Sequence, residues 1–246
     1  MAGERLLERL SLLSLVHPRW TRKCSETATS HMQTVRCDQI SAMINSNSIK
    51  LAFDKALRTA TINKFESNSL KSALFVQKVG EQIMENYNEA DHRFHCQKVD
   101  TKNQEKITGE WLLDGIIAKT AKVEEKAVNN LFISKEMIVD IEWAIESEYA
   151  TSLQAFTDDF SKLLSIKAKN KLYLNGYSSS NADSFKRYKN ERLETVKDLV
   201  KRFDTIGNYY YCFWPSPEKK GGESFWEKIK SDSEMKNEIL TLHEWN

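Results

Sequence analysis

Residues 137–149, MIVDIEWAIESEY, alternate apolar and acidic side chains for most of their length. The apolar members are Met137, Val139, Ile141, Trp143 and Ile145, and the acidic members are Asp140, Glu142, Glu146 and Glu148. A two-residue period with β-branched and aromatic residues predicts a β-strand. The alternative is a helix, in which Glu142 and Glu146 would form an i,i+4 pair. On a strand the four carboxylates would share one face, where like charges repel each other.

A divalent cation would relieve this repulsion. On a strand, Glu146 and Glu148 point the same way with their Cα atoms about 6.5 Å apart. Asp114 is the one ionised residue in the apolar segment WLLDGII, and an unpaired carboxylate is costly to bury. Mg²⁺ prefers carboxylate oxygens and keeps several of its waters. The pattern predicts a metal site of Asp114, Glu146 and Glu148, with a solvated outer face and Asp114 at a strand end as the alternative.

The periodicity of apolar residues changes from helical to alternating along the chain. Helical spacing predicts helices within 38–62, 69–88, 152–169 and 184–203. Short apolar runs predict strands at 110–118, 130–148, 170–177 and 207–215, the second of these as one bent strand or a hairpin. We therefore predict an α/β fold with a helical N-terminal region, divided into an N-terminal helical extension, 1–64, and an α/β domain, 65–246.

Charge is distributed unevenly, although the formal net charge is only +1. Residues 109–159 carry four basic against eleven acidic residues, and residues 160–230 carry fifteen against eight. This asymmetry predicts an acidic site beside a basic surface, with chance variation on a solvated surface as the alternative. Four scattered cysteines without a CxxC pair, and no apolar run of membrane-spanning length, predict an intracellular, cytoplasmic protein with no membrane segment.

Asp114, followed by Glu146-Ser147-Glu148 and then by DDFSKLL and KNKLYL, resembles the PD-(D/E)XK nuclease superfamily, which has the restriction-endonuclease-like fold. In that family an Asp ends one strand, a (D/E)xK pair lies on the next strand, and a helix and a further strand follow. The resemblance covers roughly residues 65–215 and implies a central mixed sheet flanked by helices.

The sequence departs from the family pattern at two points. Glu148 stands at the lysine position, an E-S-E arrangement that some active type II restriction enzymes also have. The 32 residues from Asp114 to Glu146 are a long spacing, which implies an insertion or a hairpin between the two strands.

The resemblance implies a Mg²⁺-dependent endonuclease that hydrolyses phosphodiester bonds of double-stranded DNA, with Mn²⁺ as a substitute ion. A type II restriction enzyme is the narrower form of this expectation. Asp114 and Glu146 would hold the ion, and Glu148 would bind a second ion or accept a proton from the attacking water. Lys162 in DDFSKLL is a candidate for the missing lysine, with an ordinary surface pair to Asp158 as its alternative. Cleavage of both strands suits a homodimer.

Other residues are less specific candidates. Glu81 and Glu85 lie on a predicted helix before the motif, where many members of the family place an additional acid. Phosphate contacts are predicted for basic residues after the motif: Lys167, Lys169, Lys171, Lys186, Arg187, Lys189, Arg192, Lys201 and Arg202. Two other functions remain open. One is a catalytically inactive relative that binds DNA or a protein, and the other is an unrelated interaction protein with a solvated acidic face.

Overall fold

The computed structural model describes residues 44–107, 112–126, 132–178, 181–203, 207–217, 219–220, 223–230 and 232–245. The helices are α1 (Ser46–Ile62), α2 (Asn68–Met84), α3 (Leu153–Ser165), α4 (Ala182–Phe203), α5 (Phe225–Lys228) and α6 (Ser233–Ile239). The strands are β1 (His92–Cys96), β2 (Val99–Asp100), β3 (Glu105–Lys106), β4 (Gly115–Lys126), β5 (Phe132–Glu148), β6 (Asn170–Tyr177), β7 (Asn208–Pro215), β8 (Lys219–Lys220), β9 (Glu223–Ser224) and β10 (Leu242–Trp245). None of the helices in these ranges has the length and apolar character that a membrane crossing needs.

Six strands form one mixed sheet in the order β1-β4-β5-β6-β7-β10. β5, β6 and β7 are parallel to one another, whereas β4 is antiparallel to β1 and β5, and β10 is antiparallel to β7. Parallel neighbours need a crossover connection, which α3 provides between β5 and β6 and α4 provides between β6 and β7. The predicted α/β fold, with a mixed sheet flanked by helices, is confirmed at this level.

Helices cover both faces of the sheet. On one face Phe75 of α2 packs on Trp214 of β7, with ring centroids 5.1 Å apart. On the other face Phe160 of α3 packs edge-on to Tyr173 of β6, with centroids 5.5 Å apart. These contacts are on opposite faces because Tyr211, the register partner of Tyr173, is three residues from Trp214. All of β6 is buried, so this strand lies at the centre of the core.

The first two helices are capped and amphipathic. The side chains of Asn45 and Ser67 accept hydrogen bonds from backbone N–H groups that the helix starts would otherwise leave unpaired. Phe53 of α1 packs edge-on to Phe75 of α2 at 5.7 Å, and both rings belong to the main hydrophobic core. The division of the chain at residue 64 stays a prediction, since residues 1–43 lie outside the described residues.

The second predicted strand is one continuous strand, β5, and the helical alternative for 137–149 is wrong. β5 pairs antiparallel with β4 to make a hairpin, and the long motif spacing is largely taken up by the length of these two strands rather than by a further hairpin between them. β1 pairs with β4 only over Gly115–Lys119, and β6 pairs with β5 only over Trp143–Glu148. The half of the hairpin nearer its turn is therefore paired with neither β1 nor β6.

The strict alternation predicted for β5 is wrong around two bulges. The pairing of β4 with β5 skips Val139 and Glu142, and each extra residue shifts the pleat by one position. Met137 and Val139, predicted to lie on the apolar face of the strand, are 53% and 56% exposed. Glu142, predicted to lie on the acidic face, is buried. The four carboxylates of the segment therefore do not share one face.

β1, with the sequence HRFHC, was not predicted from periodicity. Its Phe94 ring lies directly on the backbone of α2 at Gly80, where a Cβ atom would come within 1.9 Å of Phe94 Cζ. Only glycine permits this approach, because any side chain at position 80 would occupy the space of the ring. The contact brings α2 close against the edge of the sheet at which β1 and β4 lie.

Candidate functional site

Hydrogen bonds link Asp114 to Glu146 and Ser147 at the end of the β4–β5 hairpin. The last register pair is Gly115 with Ile145, and Asp114 and Glu146 follow directly. The Asp114 N–H donates to Glu146 Oε2 (3.1 Å), and the Ser147 N–H donates to Asp114 Oδ2 (2.8 Å). Asp114 immediately precedes β4, so it lies at a strand end, as in the alternative, and not inside the predicted strand. Its side chain turns back toward β5.

Lys162 of α3 is the counter-ion of Glu146. Its Nζ lies 2.5 Å from Glu146 Oε1 and 2.6 Å from Asp159 Oδ1. Asp158, the alternative partner in the sequence, instead accepts from Gln154 Nε2 at 2.8 Å. The structure thus brings Lys162 to Glu146, as the site prediction requires, and a catalytic role for Lys162 stays a prediction.

Glu148 extends the cluster from Glu146 toward the surface. Its Oε1 accepts from the Ala150 N–H at 2.6 Å, and the Asp159 carboxyl group lies near it. Asp159 also binds Lys162 Nζ, the counter-ion of Glu146. Asp114, Glu146, Glu148 and Asp159 are thereby joined into one acidic cluster.

A cleft of about 150 Å³ opens beside this cluster, between α2 and the end of the hairpin. Its lining consists of Ser69, Ser72, Ala73, Val76, Gln97, Lys106, Asp114, Ser147, Glu148 and Tyr149. Asp114 and Glu148 are therefore reached from the cleft. Glu146 is only 2% exposed and lies behind them.

Burial and nearby carboxylates raise the pKa values of Glu146 and Glu148. Burial, and then the Asp114 carboxylate, raise the pKa of Glu146 to about 8 in spite of Lys162. Burial also raises the pKa of Glu148, and the nearby Asp159 adds to this effect. Burial alone would lower the pKa of Lys162, but its bonds to Asp159 and Glu146 outweigh burial and raise it. These two carboxyl groups therefore keep protons more readily than ordinary glutamates, and a bound cation would have to displace those protons.

The chemistry of the cluster suits a hard cation, although its present arrangement does not form a complete coordination sphere. Carboxylate oxygens are the ligands that Mg²⁺ prefers. The two oxygens of Glu146 are bonded to Lys162 and to the Asp114 N–H. Within the described ranges, no three Asp, Glu, His or Cys side chains make a ready-made metal-binding group. To bind an ion, Glu146 Oε1 would have to release Lys162 Nζ.

Asp140 and Glu142 form a separate polar network. Lys169 Nζ lies 2.6 Å from Glu142 Oε1 and 3.2 Å from Asp140 Oδ2, and His92 Nε2 lies 3.9 Å from Glu142. The prediction that these two acids share the face of Glu146 is wrong, because Glu142 is a bulge residue. Lys169, predicted to contact phosphate, is instead occupied as their counter-ion.

The structure does not bring the acids of α2 to the site. Glu81 binds Lys78 at 2.6 Å, and Glu85 binds Lys55 at 3.5 Å. Both line a different cleft, of about 580 Å³, which is bounded by α2 and β1 and does not include Asp114. The candidate roles of Glu81 and Glu85 as additional acids of the site are therefore wrong in this arrangement.

Two of the predicted phosphate contacts are buried. Lys171 is 1% exposed and donates to the Tyr209 hydroxyl at 2.8 Å. Arg192 is also buried, with its guanidinium over the Phe156 ring at 5.0 Å from the centroid. Both predictions are wrong, because alternation along β6 and the helical period of α4 turn these side chains toward the core. Four others are exposed and make no ion pair with a described residue: Lys167, Lys186, Arg187 and Lys201.

Sequence reasoning missed Asp159 and Tyr173. Asp159 is three residues before Lys162, a spacing that places both on one side of a helix, but Asp158 at four residues offered the same signal. Tyr173 is the register partner of Glu146 in the neighbouring strand β6. That pairing depends on the strand order, which the sequence does not reveal.

No protein-family model, curated protein or solved structure matches this chain. The resemblance to the PD-(D/E)XK nucleases therefore depends on the motif residues and on the order of the elements that carry them. A function must accordingly be inferred from the chemistry of the acidic cluster.

Proposed function

We propose that this chain is a metal-dependent endonuclease that hydrolyses phosphodiester bonds of DNA, with Mg²⁺ as its ion and Mn²⁺ as a substitute. One observation carries the proposal: Asp114, Glu146 and Glu148 meet at the end of one hairpin, with Lys162 of the next helix on Glu146. The order of strand, strand, helix and strand around them is the order that the PD-(D/E)XK nucleases have. The E-S-E arrangement favours a type II restriction enzyme within that superfamily.

Asp114, Glu146 and Glu148 would hold the ion, which lowers the pKa of a bound water and stabilises charge on the phosphate. Asp114 and Glu148 are open to the cleft, so they are the first ligands that an ion would meet. Glu146 would join them after releasing Lys162. The Lys162 ammonium would remain in the cluster through Asp159, as a positive charge in place of the lysine that the family has at position 148.

DNA is the proposed partner because exposed cations follow the acidic site in the sequence. Lys186 and Arg187 lie in the first half of α4 and are exposed. Contacts of this kind release counter-ions from DNA, so binding should weaken as salt rises. A double-stranded substrate and a homodimer are part of the same proposal, since two-fold symmetry matches cleavage of two strands.

The test is cleavage of plasmid and genomic DNA by the full chain, with Mg²⁺ and with EDTA. Wild type is compared with Glu146→Ala and with Glu136→Ala, a matched control at an exposed glutamate of the same strand. Discrete Mg²⁺-dependent fragments that disappear only with Glu146→Ala are the expected result. Folded wild type that cuts none of these DNAs would contradict the proposal.

A catalytically inactive DNA- or protein-binding relative is the second candidate, and one observation favours it. Lys162 already neutralises Glu146, so part of the acidic cluster is satisfied without an ion. This candidate predicts DNA binding that weakens with salt but requires no metal and causes no cleavage. Gel-shift titrations in EDTA at two salt concentrations, beside the cleavage assay, distinguish the two functions.

A further inference from the structure

The hydroxyl group of Tyr173 is buried without a hydrogen-bond partner among the described residues. The residue is 0% exposed, so bulk water does not reach it. Buried hydroxyl groups are nearly always paired with a protein group or an ordered water, because an unpaired one is costly. Other tyrosines of the same layer are paired: Tyr188 and Tyr211 donate to Asn175 Oδ1, and Tyr209 accepts from Lys171. Tyr173 is the exception among these tyrosines, and a partner that is not one of the described residues would satisfy its hydroxyl group.

Strand β6 and helix α3 fix the position of Tyr173. It is the register partner of Glu146, so both side chains leave the sheet on the same face. The rings of Phe156 and Phe160 pack edge-on against it, each with its centroid 5.5 Å away. Asp159 directly precedes Phe160 on the same helix and binds Lys162.

The electrostatics of the phenol agree with this placement. Burial, and then the carboxylates of Asp159, Glu148 and Glu146, raise the pKa of Tyr173. The phenol therefore stays protonated near neutral pH and keeps a proton to donate. Three carboxylates lie close enough to influence it, yet none of them accepts a direct bond from it.

A donor that faces carboxylates without touching them fits a bridging water. Ionised carboxylates have several lone pairs each, so those of the cluster can accept from a water as well. Mg²⁺ keeps several waters when it binds to protein carboxylates, and groups outside its ligand shell orient the ligands. Building on the proposed function, we propose that Tyr173 is a positioning residue of the metal site. Its hydroxyl donates to a water that belongs to the hydration shell of the cation held by Glu146 and Glu148.

The test compares the full-length wild type with Tyr173→Phe, Tyr211→Phe and Glu146→Ala. Two quantities are measured: the melting temperature in EDTA, and the dissociation constant for Mn²⁺ by calorimetric titration. Tyr173→Phe should melt at or above the wild-type temperature, since it removes an unpaired group, and should bind Mn²⁺ about tenfold more weakly or worse. Tyr211→Phe is the matched control from the neighbouring strand, and it should lower the melting temperature but keep the Mn²⁺ affinity, because its hydroxyl is bonded to Asn175.

Three results would overturn the proposal, and they separate it from the proposed function. Wild-type Mn²⁺ affinity in Tyr173→Phe, while Glu146→Ala loses binding, would remove the role of Tyr173 and leave the metal site intact. A melting temperature of Tyr173→Phe that falls as far as that of Tyr211→Phe would show that the hydroxyl has a partner within the chain. Wild type that binds no Mn²⁺ would remove the metal site and the role of Tyr173 together.

Discussion

Lys162 Nζ lies 2.5 Å from Glu146 Oε1 and thereby ties helix α3 to a carboxylate that is almost fully buried in the sheet. Asp159 holds the same ammonium from the helix side. Breaking a buried ion pair usually costs more than the pair contributes, because the remaining charge is left without compensation. Glu146 can avoid this cost by taking up a proton, because its pKa is raised.

We expect Lys162→Met, which keeps the length of the side chain, to destabilise the protein in a pH-dependent way. Lys162 is 36% exposed, so the loss at pH 8 should be moderate, about 2 kcal/mol in the free energy of unfolding. At pH 6 the loss should be smaller, because Glu146 is then protonated without help. Urea unfolding at both pH values measures this, with Lys186→Met as an exposed control that should change by less than about 0.5 kcal/mol. Equal losses at both pH values would be the contrary result.

The stability of the metal-free protein should fall between pH 5 and pH 8. In the folded protein the pKa of Glu146 is about 8, because of burial and then of Asp114, whereas an unfolded glutamate titrates at about 4.3. Between these values the folded state holds the extra proton, so the free energy of unfolding decreases as pH rises.

Urea unfolding in EDTA at intervals across this range should show a loss of about 3 kcal/mol for wild type. Glu146→Gln cannot titrate at this position, so most of that slope should vanish in the variant. Wild type and variant with the same slope would mean that other groups cause the pH dependence.

The elements of the core were predictable because their patterns are local. β6 was predicted with the observed bounds, since its Leu-Tyr-Leu centre is typical of a strand and Gly176 marks its end. The alternation of β5 was read correctly at Glu146 and Glu148 but not at Val139 and Glu142. A bulge depends on how two strands align, and a single strand's sequence does not contain that alignment.

The site could be predicted only as far as its residues lie on one strand or follow a motif. The sequence predicts Asp114, Glu146 and Lys162 as site residues, and the structure brings Glu146 into contact with the other two. Asp159 and Tyr173 enter through the packing of α3 and the pairing of β6 with β5, which are long-range contacts. The burial of Arg192 was missed for the same reason, because a basic residue in a charged helix resembles its solvated neighbours until the helix is packed.

Gly80→Ala should destabilise the protein although alanine favours helices. The added Cβ would lie 1.9 Å from Phe94 Cζ, so the ring of β1 or the helix α2 must move. Overpacking of this kind typically costs about 1–3 kcal/mol. Thermal or urea unfolding measures the loss, and the double variant with Phe94→Leu should recover part of it. A single variant as stable as wild type would show that β1 is not packed on Gly80.

Asp159→Asn and Asp158→Asn form a matched pair on α3 that tests how the cluster is held. Asp159 binds Lys162 and lies near Glu148, whereas Asp158 is bonded to Gln154 outside the cluster. The amide of Asp159→Asn keeps the shape but removes the charge that retains Lys162. We expect Asp159→Asn to lower the rate constant of DNA cleavage at saturating DNA by about tenfold or more, as loss of an outer partner typically does.

Asp158→Asn should cleave at the wild-type rate, and DNA affinity should be the same for both variants, since neither residue lines the cleft. The rate at saturating DNA and the affinity for DNA in Ca²⁺ are measured separately, which distinguishes loss of positioning from loss of binding. The pH profile of cleavage should also shift for Asp159→Asn alone, because the charge next to Glu148 and Lys162 is gone. Two variants with equal rates and equal profiles would mean that Lys162 needs no support from Asp159.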